Sequence, residues 1–160
     1  NSTLSKSNYP SSGHHSLCST RPLAQSARKR EAKDLLHIQG WIQRVDEIVQ
    51  RGKNAYLADI LLQEAGDSLM MKLGEAANRL SRAGVLAPEG IDWALAVANR
   101  NFIIHQYDAI NRAITWQTLS VDLPEWRDSL LQLFADADSE LTDEADEADE
   151  ADETLRPKDM

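Results

Sequence analysis

The chain has a single cysteine, Cys18, set in a polar stretch near its N-terminus. An intrachain disulfide and a cysteine-based zinc site are therefore excluded, and a reducing, cytoplasmic setting is the expectation. No run of about 18 or more apolar residues occurs, and no basic start leads into an apolar stretch, so neither a membrane span nor a secretory signal is expected. There is no glycine-rich phosphate loop, no Gly-x-Ser-x-Gly turn and no Ser/His/Asp arrangement. Within the apolar part of the chain the histidines are His37 and His105, neither spaced as a metal ligand, and carboxylates such as Glu75 and Asp108 stand outside any acidic cluster. An enzyme built from this chain is expected to work with neither metal nor cofactor.

What is present is sharply partitioned. Residues 1–33 carry six Lys/Arg against one acid, residues 34–135 nine against thirteen, and residues 136–160 two against twelve, which together make the net charge of -9. The middle segment is only mildly acidic, so any contact with nucleic acid must use a local patch such as Arg100 and Arg112. Large apolar residues fall almost entirely between Leu35 and Phe134, which sets one folded unit of about 100 residues, taken as 34–135. The first twenty residues read as an expression remnant, a fragment start or a disordered extension, and residues 1–33 are left outside the fold. Residues 136–160, with their Asp-Glu-Ala repeat, read as a disordered acidic tail because like charges three and four apart repel along a helix.

Inside the middle segment the apolar period is helical throughout. Leu35, Ile38, Ile42, Val45 and Val49 line one face of a first helix closed by Gly52. Leu62, Ala65, Leu69, Leu73, Ala76 and Leu80 mark a second, whose interior glycines Gly66 and Gly74 suit close helix approach. Asp92 is placed to cap a third helix with Leu95, Ala98 and Phe102 on its inner stripe, and Asp108 to cap a short fourth through Ile110, Ile114 and Trp116. Asp122, Pro124 and Glu125 open a fifth with Trp126, Leu130 and Leu133 inside. The predicted fold is all-α, an antiparallel bundle of four to five helices with short connections.

The third helix runs into the stretch 100–107, RNFIIHQY, which sets a fixed cation, Arg100, near a group that titrates around neutrality, His105, and a phenol, Tyr107. Arginine forks onto phosphate oxygens, histidine exchanges protons at cellular pH, and a tyrosine hydroxyl donates a hydrogen bond or accepts a transferred group. His105 also continues the Leu95, Ala98, Phe102 stripe, so a core histidine is the competing reading. On a straight helix His105 stands about 140° round from Arg100. The two converge on one phosphate only if the helix ends near Gln106 or a second copy supplies the missing half.

In order along the chain, Gln63 and Ala65, the run Gly74-Glu75-Ala76-Ala77, Trp93, Arg100 with Asn101, His105, Tyr107, Ile110, Trp116 and the Leu123-Pro124 opening form a set. That set resembles the HepT family of HEPN-domain ribonuclease toxins, whose RX4HXY signature is matched by Arg100, His105 and Tyr107. The resemblance covers about residues 34–135, the size of one domain. Asn111 stands where members often carry Asp, and the two ends of the chain are unlike the family.

The resemblance implies a homodimeric HEPN-like helical ribonuclease with its cleft between protomers, acting on RNA, and paired with a nucleotidyltransferase antitoxin of the MntA type that uses ATP. Arg100 and His105 are then the implied catalytic pair, Tyr107 the implied acceptor of AMP, and Asn101, Glu75 and Asp108 the implied supporting residues. The alternative from another class is a non-catalytic nucleotide-binding or adaptor subunit of a nucleotidyltransferase complex; a plain helical dimerisation module is the third reading.

Overall fold

A computed structural model describes residues 21–155, all of whose regular structure is helical. Six α-helices follow in order: α1 Arg21–Gln50, α2 Lys53–Ala58, α3 Ile60–Arg82, α4 Trp93–His105, α5 Arg112–Gln117 and α6 Leu123–Leu155. A 3-10 turn, Tyr107–Ala109, separates α4 from α5, and a π-helical turn, Thr118–Asp122, joins α5 to α6. The all-α bundle predicted from the period is the fold.

The core is the stripe that the sequence announced, with small shifts. Leu35, Ile38, Ile42, Val45 and Ile48 of α1 meet Leu69, Met70, Leu73 and Leu80 of α3 and Leu130 and Phe134 of α6. Ile48 takes the inner place expected for Val49, which is only partly covered. Gly52 ends α1 in a left-handed conformation (φ 91°), open to glycine without strain. Arg127 of α6 forms an ion pair with Asp46 of α1, tying the start of α6 to the later part of α1.

Helix boundaries differ from the 34–135 unit at both ends. Residues 1–20 of the expected extension lie outside the described residues, but residues 21–33 are helical and Ala32 is buried in the core. Ala32 precedes Leu35 by three, so it prolongs the inner stripe by a turn; a lone alanine carries too little apolar signal to announce itself. The acidic run expected to be disordered likewise continues α6 as far as Leu155. Ala137 is buried and Leu141 packs on the core, which extends the face beyond Phe134. Alanine at every third position, the best helix former, offsets the charge repulsion further on.

α2 was not anticipated. It is six residues long with one buried anchor, Tyr56, whose ring lies 5.4 Å from that of Trp116. α3 starts at an Asp59 cap that accepts a hydrogen bond from the Leu61 N–H at 2.9 Å. Its two glycines serve close approach, as expected: a methyl at Gly66 would press on Leu119, and one at Gly74 would collide with α4.

α4 begins at Asp92, whose side chain accepts from the Ala94 N–H, as its spacing suggested. Its buried face is not the expected one. Trp93 and Ile103 are buried, while Leu95 (65% exposed), Ala98 and Phe102 (42%) face outward. α4 is apolar all round, so period alone cannot choose a side, and the backbone contact at Gly74 makes the choice. Asp108 sits within the 3-10 turn and caps nothing; Asn111 caps α5 by accepting from the Ala113 N–H at 3.0 Å. Asp122 does not open a fresh helix either, because the π-helical turn carries the chain into α6 without a break.

Candidate functional site

Arg100 leaves α4 at the point where Gly74 brings α3 against it, and its guanidinium turns to the next residue along α3. Its Nη2 lies 2.9 Å from Oε2 of Glu75, and its Nη1 donates to Oδ1 of Asn101 at 3.4 Å. The other oxygen of Glu75 lies 3.9 Å from Nη1 of Arg79, which in turn grips Asp34 of α1 through Nε and Nη2, the closest bond being 2.8 Å. Hydrogen bonding to Asp34 holds the Arg79 guanidinium above its ordinary pKa despite some loss of water. The result is a ladder, Asp34–Arg79–Glu75–Arg100, crossing three helices and fixing the direction of the last cation.

α4 ends at His105, and the Gln106 N–H closes the helix on the Phe102 carbonyl at 2.9 Å. The helix break near Gln106 that convergence demanded is therefore present. His105 is exposed, so the core-histidine reading is set aside, and among the described residues its ring makes no hydrogen bond or ion pair. Two residues on, Tyr107 is half exposed and its hydroxyl donates to Oε1 of Glu64 at 3.4 Å. Asp108 is exposed beside it, without a hydrogen-bond or ion-pair partner among the described residues.

Glu64 and Glu75 are eleven residues apart, close to three full turns, so both stand on one face of α3 about 16 Å apart along its axis. Tyr107 meets one and Arg100 the other. The motif is thus laid along a single strip of α3, with the unpartnered imidazole of His105 between its two anchored members in sequence. No hydrogen bond or ion pair links Arg100, His105 and Tyr107 to one another within the described residues of the protomer.

A match to a family model described as Ribonuclease HepT-like covers residues 38–133, more than half of the chain. The chain belongs to the HepT-like ribonuclease family. No curated protein and no solved structure matches it. In this HepT-like chain the matched span runs from the inner stripe of α1 to α6 and includes every residue of the ladder except Asp34, together with His105 and Tyr107.

Arg112, expected beside Arg100 as part of a nucleic-acid patch, is placed otherwise in this HepT-like fold. Its Nη1 lies 2.7 Å and 2.9 Å from the two oxygens of Asp67, which is buried. Burial alone would lower its pKa, but the bonds and charge of Asp67, with the nearby Tyr56 oxygen, hold it above the ordinary value. The Tyr56 hydroxyl is itself buried without a well-formed hydrogen bond. Arg112 therefore docks α5 on α3 and is not a free cation for phosphate.

Glu64 was missed from sequence, although its eleven-residue step to Glu75 places the two on one face. Asp34, Arg79 and Asp67 were missed because pairing across helices 45 residues apart has no local trace. Among the described residues no three His, Cys, Asp or Glu side chains gather as metal ligands would, and no helix is long and apolar enough to cross a membrane.

Proposed function

We propose that this ribonuclease is an endoribonuclease toxin that cleaves RNA by attack of its own 2′-hydroxyl, without a metal ion. RNA carries its nucleophile beside the scissile phosphate, so the protein has only to move protons and hold the negative charge of the phosphorane. His105 takes the 2′-hydroxyl proton, and Arg100 swings from Glu75 to the phosphate oxygens, where a planar fork fits them in pairs. As the bond from the 2′-oxygen to phosphorus forms, the bond from phosphorus to the 5′-oxygen breaks; the leaving 5′-oxygen takes a proton from water and His105 releases its own to solvent, giving a 2′,3′-cyclic phosphate and a free 5′-hydroxyl. The observation that carries this reading is the end of α4 at His105, with an exposed imidazole that has no hydrogen-bond or ion-pair partner among the described residues, a turn and a half beyond an arginine already held in place.

Two copies complete the cleft. The outer face of α4, with Leu95, Ala98 and Phe102, joins Ile114 of α5 (64% exposed) in an apolar strip that a single protomer leaves in water. A second copy seated there two-fold sets two RX4HXY motifs opposite one another. Asn101 steadies Arg100, Glu75 parks it, and Asp108 flanks the exit of the motif. The protein works in the cytoplasm, where a nucleotidyltransferase antitoxin transfers AMP from ATP to Tyr107 and so places a bulky phosphate beside the catalytic pair.

The deciding experiment is cleavage of RNA by the purified dimer in excess EDTA, with and without prior removal of any adduct on Tyr107. Cutting that survives chelation and disappears in Arg100→Ala and His105→Ala supports the proposal. A wild-type protein that cuts nothing in either state overturns it, and intact-mass analysis of protein made with its partner reports whether AMP units map to Tyr107.

A further inference from the structure

A second feature of α3 borders the motif strip on the side that faces α1. A cleft of about 350 Å³ runs between the C-terminal half of α1 and the first half of α3, with Ile48 and Leu69 in its floor. Its walls carry three cations, Arg44, Arg51 and Lys72, against one carboxylate, Glu47. In a segment with more acids than bases this is a local reversal of sign.

The three cations also differ from the arginines that tie the helices of the bundle together. Arg79, Arg100, Arg112 and Arg127 each have a carboxylate within ion-pair distance. Arg44, Arg51 and Lys72 have none among the described residues, and all three are exposed. They are charges without internal work to do.

Their placement points along one line. Arg44 lies in the last two turns of α1 and Arg51 directly follows the end of that helix, and both line the same cleft. Lys72 precedes Glu75 by three residues and so shares its face of α3. The cleft therefore opens, one turn along α3, onto the carboxylate that holds Arg100.

We propose that this cleft is the track for the single-stranded RNA that flanks the scissile phosphate, with Arg44, Arg51 and Lys72 each holding one backbone phosphate. This inference rests on the ribonuclease reading above and adds to it a substrate-binding surface outside the catalytic motif. The floor offers aliphatic side chains and no aromatic ring for stacking, so the track grips the backbone without choosing bases.

The test uses the dimeric full chain carrying His105→Ala, so that RNA is bound and not cut, and a fluorescent single-stranded oligoribonucleotide read by anisotropy across a salt series. Adding Arg44→Glu, Arg51→Glu and Lys72→Glu is expected to weaken binding at least tenfold near 0.1 M salt and to flatten the slope of log affinity against log salt by about 2, the loss of three single-strand phosphate contacts. The triple glutamine variant, with an unchanged melting curve as the control for folding, is expected to show the same flattened slope. If the wild-type background binds RNA and both triple variants keep its affinity and slope, the track is wrong while the ribonuclease reading stands. If polyglutamate competes with RNA equally well at matched charge, the cleft belongs to an acidic protein segment and the proposal is likewise overturned. If the wild-type background binds no RNA and the active protein cuts none, the earlier reading falls and takes the track with it.

Discussion

Gly74 of α3 lies so close to Arg100 of α4 that a methyl group built on it would stand 2.5 Å from the Arg100 Cβ and 2.7 Å from the Ala96 carbonyl oxygen. The helices touch there backbone to backbone, and this contact turns the catalytic candidate toward Glu75. Gly74→Ala must push α4 away or distort it, because neither neighbour is the free end of a flexible chain. The expected outcome is a loss of about 1–3 kcal/mol in stability from overpacking, with a larger fractional loss of RNA cleavage as Arg100 shifts. Chemical denaturation beside a cleavage assay checks it, and an alanine variant with wild-type values for both would deny the contact its role.

Glu75 holds Arg100 in an ion pair and, in the proposed reaction, competes with phosphate for it. Removing its charge in Glu75→Gln releases the guanidinium, so RNA is expected to bind more tightly, and the pair is partly exposed, so stability changes by no more than about 1 kcal/mol. Anisotropy on an RNA oligomer, compared between Glu75→Gln and the wild type at low and physiological salt, measures the effect. Weaker binding by the glutamine variant would mean that aim matters more than competition.

These two neighbours of Arg100 mark how far the sequence could be read. The helical period placed the core of α1 and α3, because amphipathic spacing is a local property of the chain, whereas the end of α4 entered only as one of two conditions for Arg100 and His105 to converge. Glycines 66 and 74 announced close approach for the same reason. The side of α4 that is buried was not readable, since Leu95, Phe102, Ile103 and Ile104 surround the helix with apolar groups and only the collision at Gly74 selects one. The ladder through Arg79 to Asp34 and the pairing of Arg112 with Asp67 depend on helices brought together from 45 residues away. No window along the chain carries that information. Charge was equally deceptive in both directions: Arg112 looked free and is spent, whereas Arg44, Arg51 and Lys72 looked like ordinary surface and share one cleft.

The Asp67–Arg112 pair is asymmetric in burial, with side chains 5% and 22% exposed respectively. Removing arginine strands a carboxylate in the interior, whereas removing aspartate leaves a guanidinium that still reaches water. Arg112→Ala is therefore expected to cost about 3–5 kcal/mol and Asp67→Ala less, about 2–3 kcal/mol. The raised pKa of Arg112 means that its contribution is present at every pH below the strongly alkaline range and is lost only as pH rises through the folded-state value, so neither penalty should vary between pH 5 and 8. Urea titrations of the two variants at both pH values give the comparison; an Arg112→Ala penalty smaller than that of Asp67→Ala would refute the burial argument.

The outer face of α4 decides whether the motif works alone. Phe102 and Leu95 are exposed in the protomer and lie on the same side of the helix, seven residues and two turns apart. If a second copy covers them, Phe102→Glu puts a charge into an apolar contact on each side of the two-fold axis. Sedimentation should then show monomers at concentrations where the wild type is dimeric, with cleavage falling in step and the melting temperature of the protomer little changed. A variant that remains dimeric and active would move the proposed interface elsewhere.

Under the proposed function, Tyr107 is the residue at which regulation can be separated from catalysis. Tyr107 is half exposed on the 3-10 turn, and its hydroxyl donates to Glu64 at 3.4 Å and makes no hydrogen bond to Arg100. Tyr107→Phe deletes the acceptor oxygen and retains the ring, at the loss of one long, solvent-exposed hydrogen bond worth at most about 1 kcal/mol. Such a protein should still cut RNA to within a few-fold of the unmodified wild type. Incubation with ATP and the nucleotidyltransferase partner should silence the wild type and add the mass of AMP to it, while leaving the phenylalanine variant active and its mass unchanged. Silencing of the variant to the same extent would show that neutralisation runs through the antitoxin's grip on the dimer and not through the phenol. Loss of cleavage in Tyr107→Phe before any partner is added would instead place the hydroxyl among the groups that act on RNA.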